Sequence, residues 1–199
     1  MNKKQKLSIQ LILCFFFFLI TTPCIIAVTE TDAHYIEVEL KSQGDKPWCG
    51  PACVVMVLNY WHIDVTVEEA GMQIDPEQDG AKTTELVRYL QGFEVGLYKL
   101  NSIEELKTWI SRDHPIMVLV WSDTTKTAGH YLVITGFDED GIHLNDPNGK
   151  KVEFTYEKFS DLWTRHYNYG LVISPVKVFL TDPDQTNKTW RYDLLCQKC

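Results

Sequence analysis

Two observations predict an α+β domain with its helices first and an antiparallel sheet second. Apolar residues recur at helical spacing through the first half, then from residue 115 gather into short β-branched and aromatic runs. Two of the breaks between those runs, "DEDG" and "PNGK", are tight hairpin turns, so the strands they join are antiparallel. The chain has 199 residues and is 45% hydrophobic, which suits one ordinary domain with a buried core and argues against long disorder.

The elements follow in order. "MNKKQKLSIQ" is basic, "LILCFFFFLI" is apolar without a charge, and a small residue stands at Ala27. Residues 1–27 read as a secretory signal peptide or, because the uncharged run Leu7–Val28 is long enough to cross a bilayer, a membrane anchor. The domain itself is expected over 28–175, exported, with a tail over 176–199. Its lead-in, 28–47, alternates near Tyr35–Leu40 and reads as a strand followed by a loop. Gly50–Trp61 is apolar on nearly every face, the mark of a buried helix, and Pro51 fits its first turn.

"VTVEEAGM" is a short helix with Thr66 and Glu69 at capping-box spacing. "DPEQDGAK" is a loop, and "TTELVRYLQGF" is a helix opening at Thr83 or Thr84 and stopping at Gly92. "EVGLYKL" is a short strand. "SIEELKTWISRD" has a cap at Ser102 and an apolar stripe of Ile103, Leu106, Trp109 and Ile110. Strands are expected at 115–122, 130–138, 141–146, 150–155 and 169–174, with a helix over "YEKFSDLWTRH" between the last two.

Charge narrows the partners. Without the three lysines of residues 1–27, 16 basic residues face 27 acidic ones, a net charge of about −11. That argues against nucleic acid or anionic lipid as a partner and leaves basic peptides acceptable. Membrane contact is expected only through an uncleaved N-terminal segment, and the domain is expected to be a monomer. No cofactor or metal is called for. The Cys196/Cys199 pair has no second ligand pair beside it and reads as a local disulfide or two free thiols.

"KSQGDKPWCGPACVVMVLNYW" carries the chemistry. Cys49 falls where a loop becomes a helix, so free N–H groups and the positive dipole end favour its thiolate. It is a nucleophile, half of a disulfide, or a core residue. Cys53, one turn later, reads as core. A nucleophilic thiol needs a histidine to move its proton and a third group to orient that histidine. His34 lies in the lead-in, His62 at the end of the buried helix, His114 just before a strand, His143 within one, and His166 after a helix. His130 opens a strong strand whose hairpin partner ends at Asp146, which puts the two near each other at one edge of the sheet. Asn145 is the substitute orienter if the register slips by one. A strand-end histidine and a turn-forming Asp-Pro account for the same two residues without chemistry. Trp48, next to the cysteine, is a candidate wall of a substrate groove.

"Q-x5-CGPAC" before an apolar helix, then "HPIMVLV", then "GHYLVITGFDEDGIHLNDPNG", resembles the double-glycine, bacteriocin-processing peptidase family over roughly residues 36–175. These are papain-like cysteine peptidases, best known as N-terminal domains of exporting ATP-binding-cassette transporters. The resemblance implies Cys49 as nucleophile, His130 as general base and acid, Asp146 as orienter, and Gln43 as oxyanion donor. It implies a papain-like fold and an exported cysteine peptidase with a peptide or protein substrate. A catalytically silent peptide-binding module and an acyl or amide transferase remain as alternatives. The chain departs from the transporter form in having no glycine-rich P-loop.

Overall fold

A computed structural model describes residues 32–100, 102–122, 128–164 and 169–177. The signal or anchor segment, His166, and Cys196 with Cys199 lie outside the described residues. Among those described, no helix is long and apolar enough to cross a membrane.

In chain order the elements are β1 (His34–Tyr35), α1 (Cys49–Tyr60), α2 (Val67–Ile74), α3 (Thr83–Leu90), β2 (Val95–Leu100) and α4 (Ile103–Ile110). β3 (Ile116–Trp121), β4 (Gly129–Phe137), β5 (Gly141–Asp146), β6 (Lys150–Thr155), α5 (Tyr156–Thr164) and β7 (Gly170–Pro175) complete it. The strands form one antiparallel sheet in the order β2-β7-β3-β4-β5-β6. The two-residue β1 pairs with β4 at Gly136 and Phe137, beyond the point where β3 ends at Ile134. Gly136 is required there, since a Cβ would sit 2.7 Å from the Tyr35 ring and 2.8 Å from the His34 carbonyl. The α+β class expected from the change of period is what the chain adopts.

α1 is the helix around which the core is built. Gly50 through Leu58 are all buried, as a helix apolar on every face requires. It packs on α2, on β4 and, through Leu86, on α3. Burying one Leu or Val side chain is worth roughly 1.5–3 kcal/mol, so the run from Val54 to Leu58 anchors this helix firmly.

Two local expectations change, at the lead-in and at Trp48. The lead-in is regular over only two residues, and 36–43 continues as a strap tied by single hydrogen bonds: Ile36 N–H to the Thr135 carbonyl, and Gln43 N–H to the Pro147 carbonyl at 2.8 Å. α3 opens at Thr83, as expected; its cap is Lys82, whose N–H donates to Glu85 Oε2 at 2.7 Å, and Thr83 shares a 2.7 Å hydrogen bond with the Tyr131 hydroxyl. Trp48 is buried, its indole donating to the Asp75 carbonyl at 3.1 Å, so it lies beneath the surface and walls no groove. Its ring rests on Gly71, where a Cβ would come within 2.4 Å. The capping box of Thr66 and Glu69 forms as the spacing predicts.

β4 and β5 make the hairpin that matters for the site. Val133 faces Asn145 and Ile134 faces Leu144, then the register shifts at a bulge so that Gly136 faces His143. At the far turn, Asp138 Oδ1 accepts from the N–H groups of Asp140 and Gly141. At the near turn, Gly149 closes back on the Asp146 carbonyl with φ of +87°, a left-handed conformation that suits glycine.

Candidate active site

Cys49 is the first residue of α1 and is part-buried. The helix has no side-chain cap at Trp48, which leaves its first amides to other partners. The Gly50 and Tyr131 amides and the His130 ring surround the Cys49 thiol closely enough for each to favour its anion. Burial pushes this thiol up, but the hydrogen bond from His130 and the two amides outweigh that, and its pKa falls below the ordinary value.

His130 Nε2 lies 2.8 Å from Asp146 Oδ1, so Nδ1 is the ring nitrogen that remains for the thiol. Burial lowers the imidazole's pKa, but hydrogen bonds to Asp146 and Cys49 raise it to about 9. Burial likewise raises Asp146, and its hydrogen bond to His130 brings it below the usual carboxylate range. A thiolate, an imidazolium and a carboxylate in line stabilise one another and titrate as a unit.

The pairing of His130 with Asp146 follows from register. Asn145 is opposite Val133, so Asp146 is opposite Leu132 and diagonal to His130 on the same face. Asn145 points to the other face, where its amide donates to the Val38 carbonyl at 2.9 Å. The substitute-orienter role considered for Asn145 is therefore not what the geometry offers.

Gln43 is held on two sides. Its backbone N–H is bound to Pro147, next to Asp146, and its Nε2 donates to the Lys46 carbonyl at 2.7 Å. That contact fixes which end of the amide is nitrogen and leaves its second N–H uncommitted. The Gln43 loop is thus joined to the turn that carries the carboxylate.

Two contributors escaped sequence reasoning. Asn148 donates its backbone N–H to Asp146 Oδ1 at 2.9 Å, and its amide Nδ2 lies 3.4 Å from His130 Nε2. An Asp that accepts from the N–H two residues on is a known turn habit, so "DPN" did carry that signal. The Tyr131 N–H is a backbone group, and no residue type announces it. Cys53 is fully buried, and its thiol is pushed well above the ordinary value by burial, then by the neighbouring Cys49 and Asp146 charges.

A cysteine at a helix entrance, hydrogen bonded to a histidine that a carboxylate holds from a sheet, is the arrangement of a papain-like cysteine peptidase fold. The family model "Peptidase_C39 like family" matches residues 35–171, and the chain belongs to that family of cysteine-type peptidases. The chain is 25% identical over 124 residues to the lactococcin-G-processing and transport ATP-binding protein LagD of Lactococcus lactis subsp. lactis. That match covers 61% of this chain but 17% of the relative. Among solved structures, the peptidase domain of Streptococcus ComA, a bifunctional ABC transporter of a quorum-sensing pathway, superposes with a TM-score of 0.60 at 18% identity. It covers 70% of this chain and 99% of that one. A double-glycine-motif protease from an AMS/PCAT transporter, solved with its leader peptide, gives 0.58 at 20% identity, over 71% and 94% of the two chains. These likenesses show the fold.

Proposed function

We propose that this chain hydrolyses a peptide bond with Cys49 as nucleophile, His130 as acid and base, Asp146 as the group that holds His130, and Gln43 as oxyanion donor. The observation that carries the reading is the 2.8 Å contact between His130 and Asp146 beside a thiol at a helix entrance, whose pKa His130 draws below its ordinary value. The Cys49 thiolate attacks the scissile carbonyl carbon and a C–S bond forms. The carbonyl oxygen becomes an anion that accepts from the free Gln43 N–H and the Cys49 backbone N–H. A donor of this kind is worth roughly 2.7–4 kcal/mol in the transition state. The imidazolium of His130 gives its proton to the amine as the C–N bond breaks, leaving a thioester. Water then attacks, His130 takes its proton, and the acid leaves as the thiolate returns.

A peptide substrate fits what the relatives do: one neighbour holds a leader peptide, and the curated relative processes lactococcin G. We place the catalytic domain, 28–175, outside the cytoplasm, because a basic start and a long uncharged run precede it. Cell fractionation and the N-terminal sequence of the exported protein test that placement; a cytoplasmic protein that keeps Met1 refutes it. The function is tested by comparing newly exposed N-termini in cells that carry the wild type or Cys49→Ala. Peptide ends present only with the wild type are expected, and identical sets would remove the peptidase.

A further inference from the structure

The strap 36–43 carries Gln43 but belongs to no sheet ladder beyond Tyr35. Something must hold it in register with the catalytic turn. Three contacts do: Ile36 N–H on the Thr135 carbonyl, Gln43 N–H on the Pro147 carbonyl, and between them the Asn145 amide on the Val38 carbonyl. The first two are backbone contacts at the ends. The middle one is a side chain, fully buried, from the residue next to Asp146.

We infer that Asn145 is a positioning residue for the oxyanion donor: its amide, bound to the Val38 carbonyl, ties the Gln43 strap to the strand that ends in Asp146. The inference rests on the reading of Gln43 given above. Alternation along β5 sends neighbours to opposite faces. Asp146 therefore holds His130 on one face, and Asn145 holds the strap on the other. The nucleophile's base and its oxyanion donor are set by two consecutive residues of one rigid strand.

A buried amide is a demanding choice for this task. Removing the donor strands the Val38 carbonyl, a buried acceptor, which is costly. Val38 is itself 3% exposed, so water cannot readily take over. Between Ile36 and Gln43 the strap is then held only by the packing of Val38 and Leu40 on the core, which resists sliding less than a hydrogen bond fixed in direction. Small displacements of an oxyanion donor cost rate steeply, because the contact must meet the anion and not the ground-state carbonyl.

Two probes separate this role from a general one. p-Nitrophenyl acetate acylates Cys49 through a tetrahedral oxyanion, so it reads both the thiolate and the oxyanion donor. Iodoacetamide alkylates the same sulfur by displacement, without an oxyanion, and reads the thiolate alone. In Asn145→Ala, acylation is expected to fall about 10-fold or more, with alkylation within about twofold of the wild type. Gln43→Ala should show the same split, and the double variant should be no slower than Gln43→Ala alone, since the two act through one contact.

Asn145→Ser, whose hydroxyl is too short to reach Val38, should behave like Asn145→Ala and serves if the latter does not fold. Equal falls in both rates would mean that Asn145 acts on the thiolate or on the whole fold, and overturn the inference. So would an unchanged acylation rate in Asn145→Ala where Gln43→Ala slows it, or failure of both Asn145 variants to fold. If Gln43→Ala leaves acylation unchanged, the glutamine reading falls and this inference with it. Fast alkylation of wild-type Cys49 would still preserve the activated thiol.

Discussion

The β4–β5 hairpin carries a histidine–carboxylate contact at each end, and the two are almost the same length. His130 Nε2 is 2.8 Å from Asp146 Oδ1, and His143 Nε2 is 2.7 Å from Asp138 Oδ2. Their surroundings differ. The first faces a thiol at a helix entrance, behind side chains that are 17% and 9% exposed. The second pair is 21% and 22% exposed and has no thiol beside it; the exposed Tyr35 donates to Asp138 at 2.6 Å and Glu153 lies 3.4 Å from His143 Nδ1. Tyr35 and then His143 hold the Asp138 carboxyl far below the usual range, while Asp138 pushes the Tyr35 hydroxyl up to about 12. That end is a fastening for β1. A histidine–carboxylate pair is therefore not evidence of catalysis; the nucleophile within its reach is.

The sharpest way to break this contrast is substitution at the two histidines. His130→Ala should lower peptide hydrolysis by roughly 10³-fold or more, as Cys49→Ala should, because triad members act as a unit. His143→Ala should leave the rate within about twofold. A comparable loss at both would erase the distinction. The carboxylates come next. Asp146→Asn should cost about 10²-fold in kcat, the range of a general acid–base contribution, while Asp138→Asn should leave kcat unchanged.

A smaller effect lies in pH. His130 keeps its proton in the folded protein up to about pH 9, whereas a free imidazole loses it near 6.5. Its contribution to stability is thus complete below about 6.5 and is lost as pH rises toward 9. Activity should follow a bell that rises as the lowered Cys49 thiol ionises and falls near pH 9 as His130 deprotonates. In His130→Ala the alkylation profile of Cys49 should move up, because burial then acts on the thiol without its counter-ion. The buried Cys53 should label far more slowly than Cys49 throughout. The smallest change is expected from Tyr35→Phe. It removes the 2.6 Å contact, should speed hydrogen exchange at the Ile36 amide, and should leave alkylation of Cys49 unchanged.

Much of this was legible in the sequence because the signals were local. Apolar faces all round announced α1, Thr66 with Glu69 announced the start of α2, and "DEDG" announced the hairpin that brings Asp146 back toward His130. The choice between Asp146 and Asn145 was not local. It depends on whether Val133 faces Asn145, and a one-residue slip would have reversed it. Trp48 misled for a related reason. An aromatic beside a reactive residue reads as a wall, but its fate is decided by Gly71, distant in sequence, which leaves room for the ring. The strap was equally hidden, because its ties are backbone and amide contacts across long separations.

The bulge at Thr135 has one further effect. Facing residues sum to 278 on the Asp146 side of it and to 279 on the Asp138 side. In an uninterrupted ladder with the first sum, His143 and Asp138 would point away from each other; with the second, His130 and Asp146 would. One surplus residue changes the parity halfway along, and so a single ribbon can hold the proposed catalytic dyad at one tip and a clasp at the other.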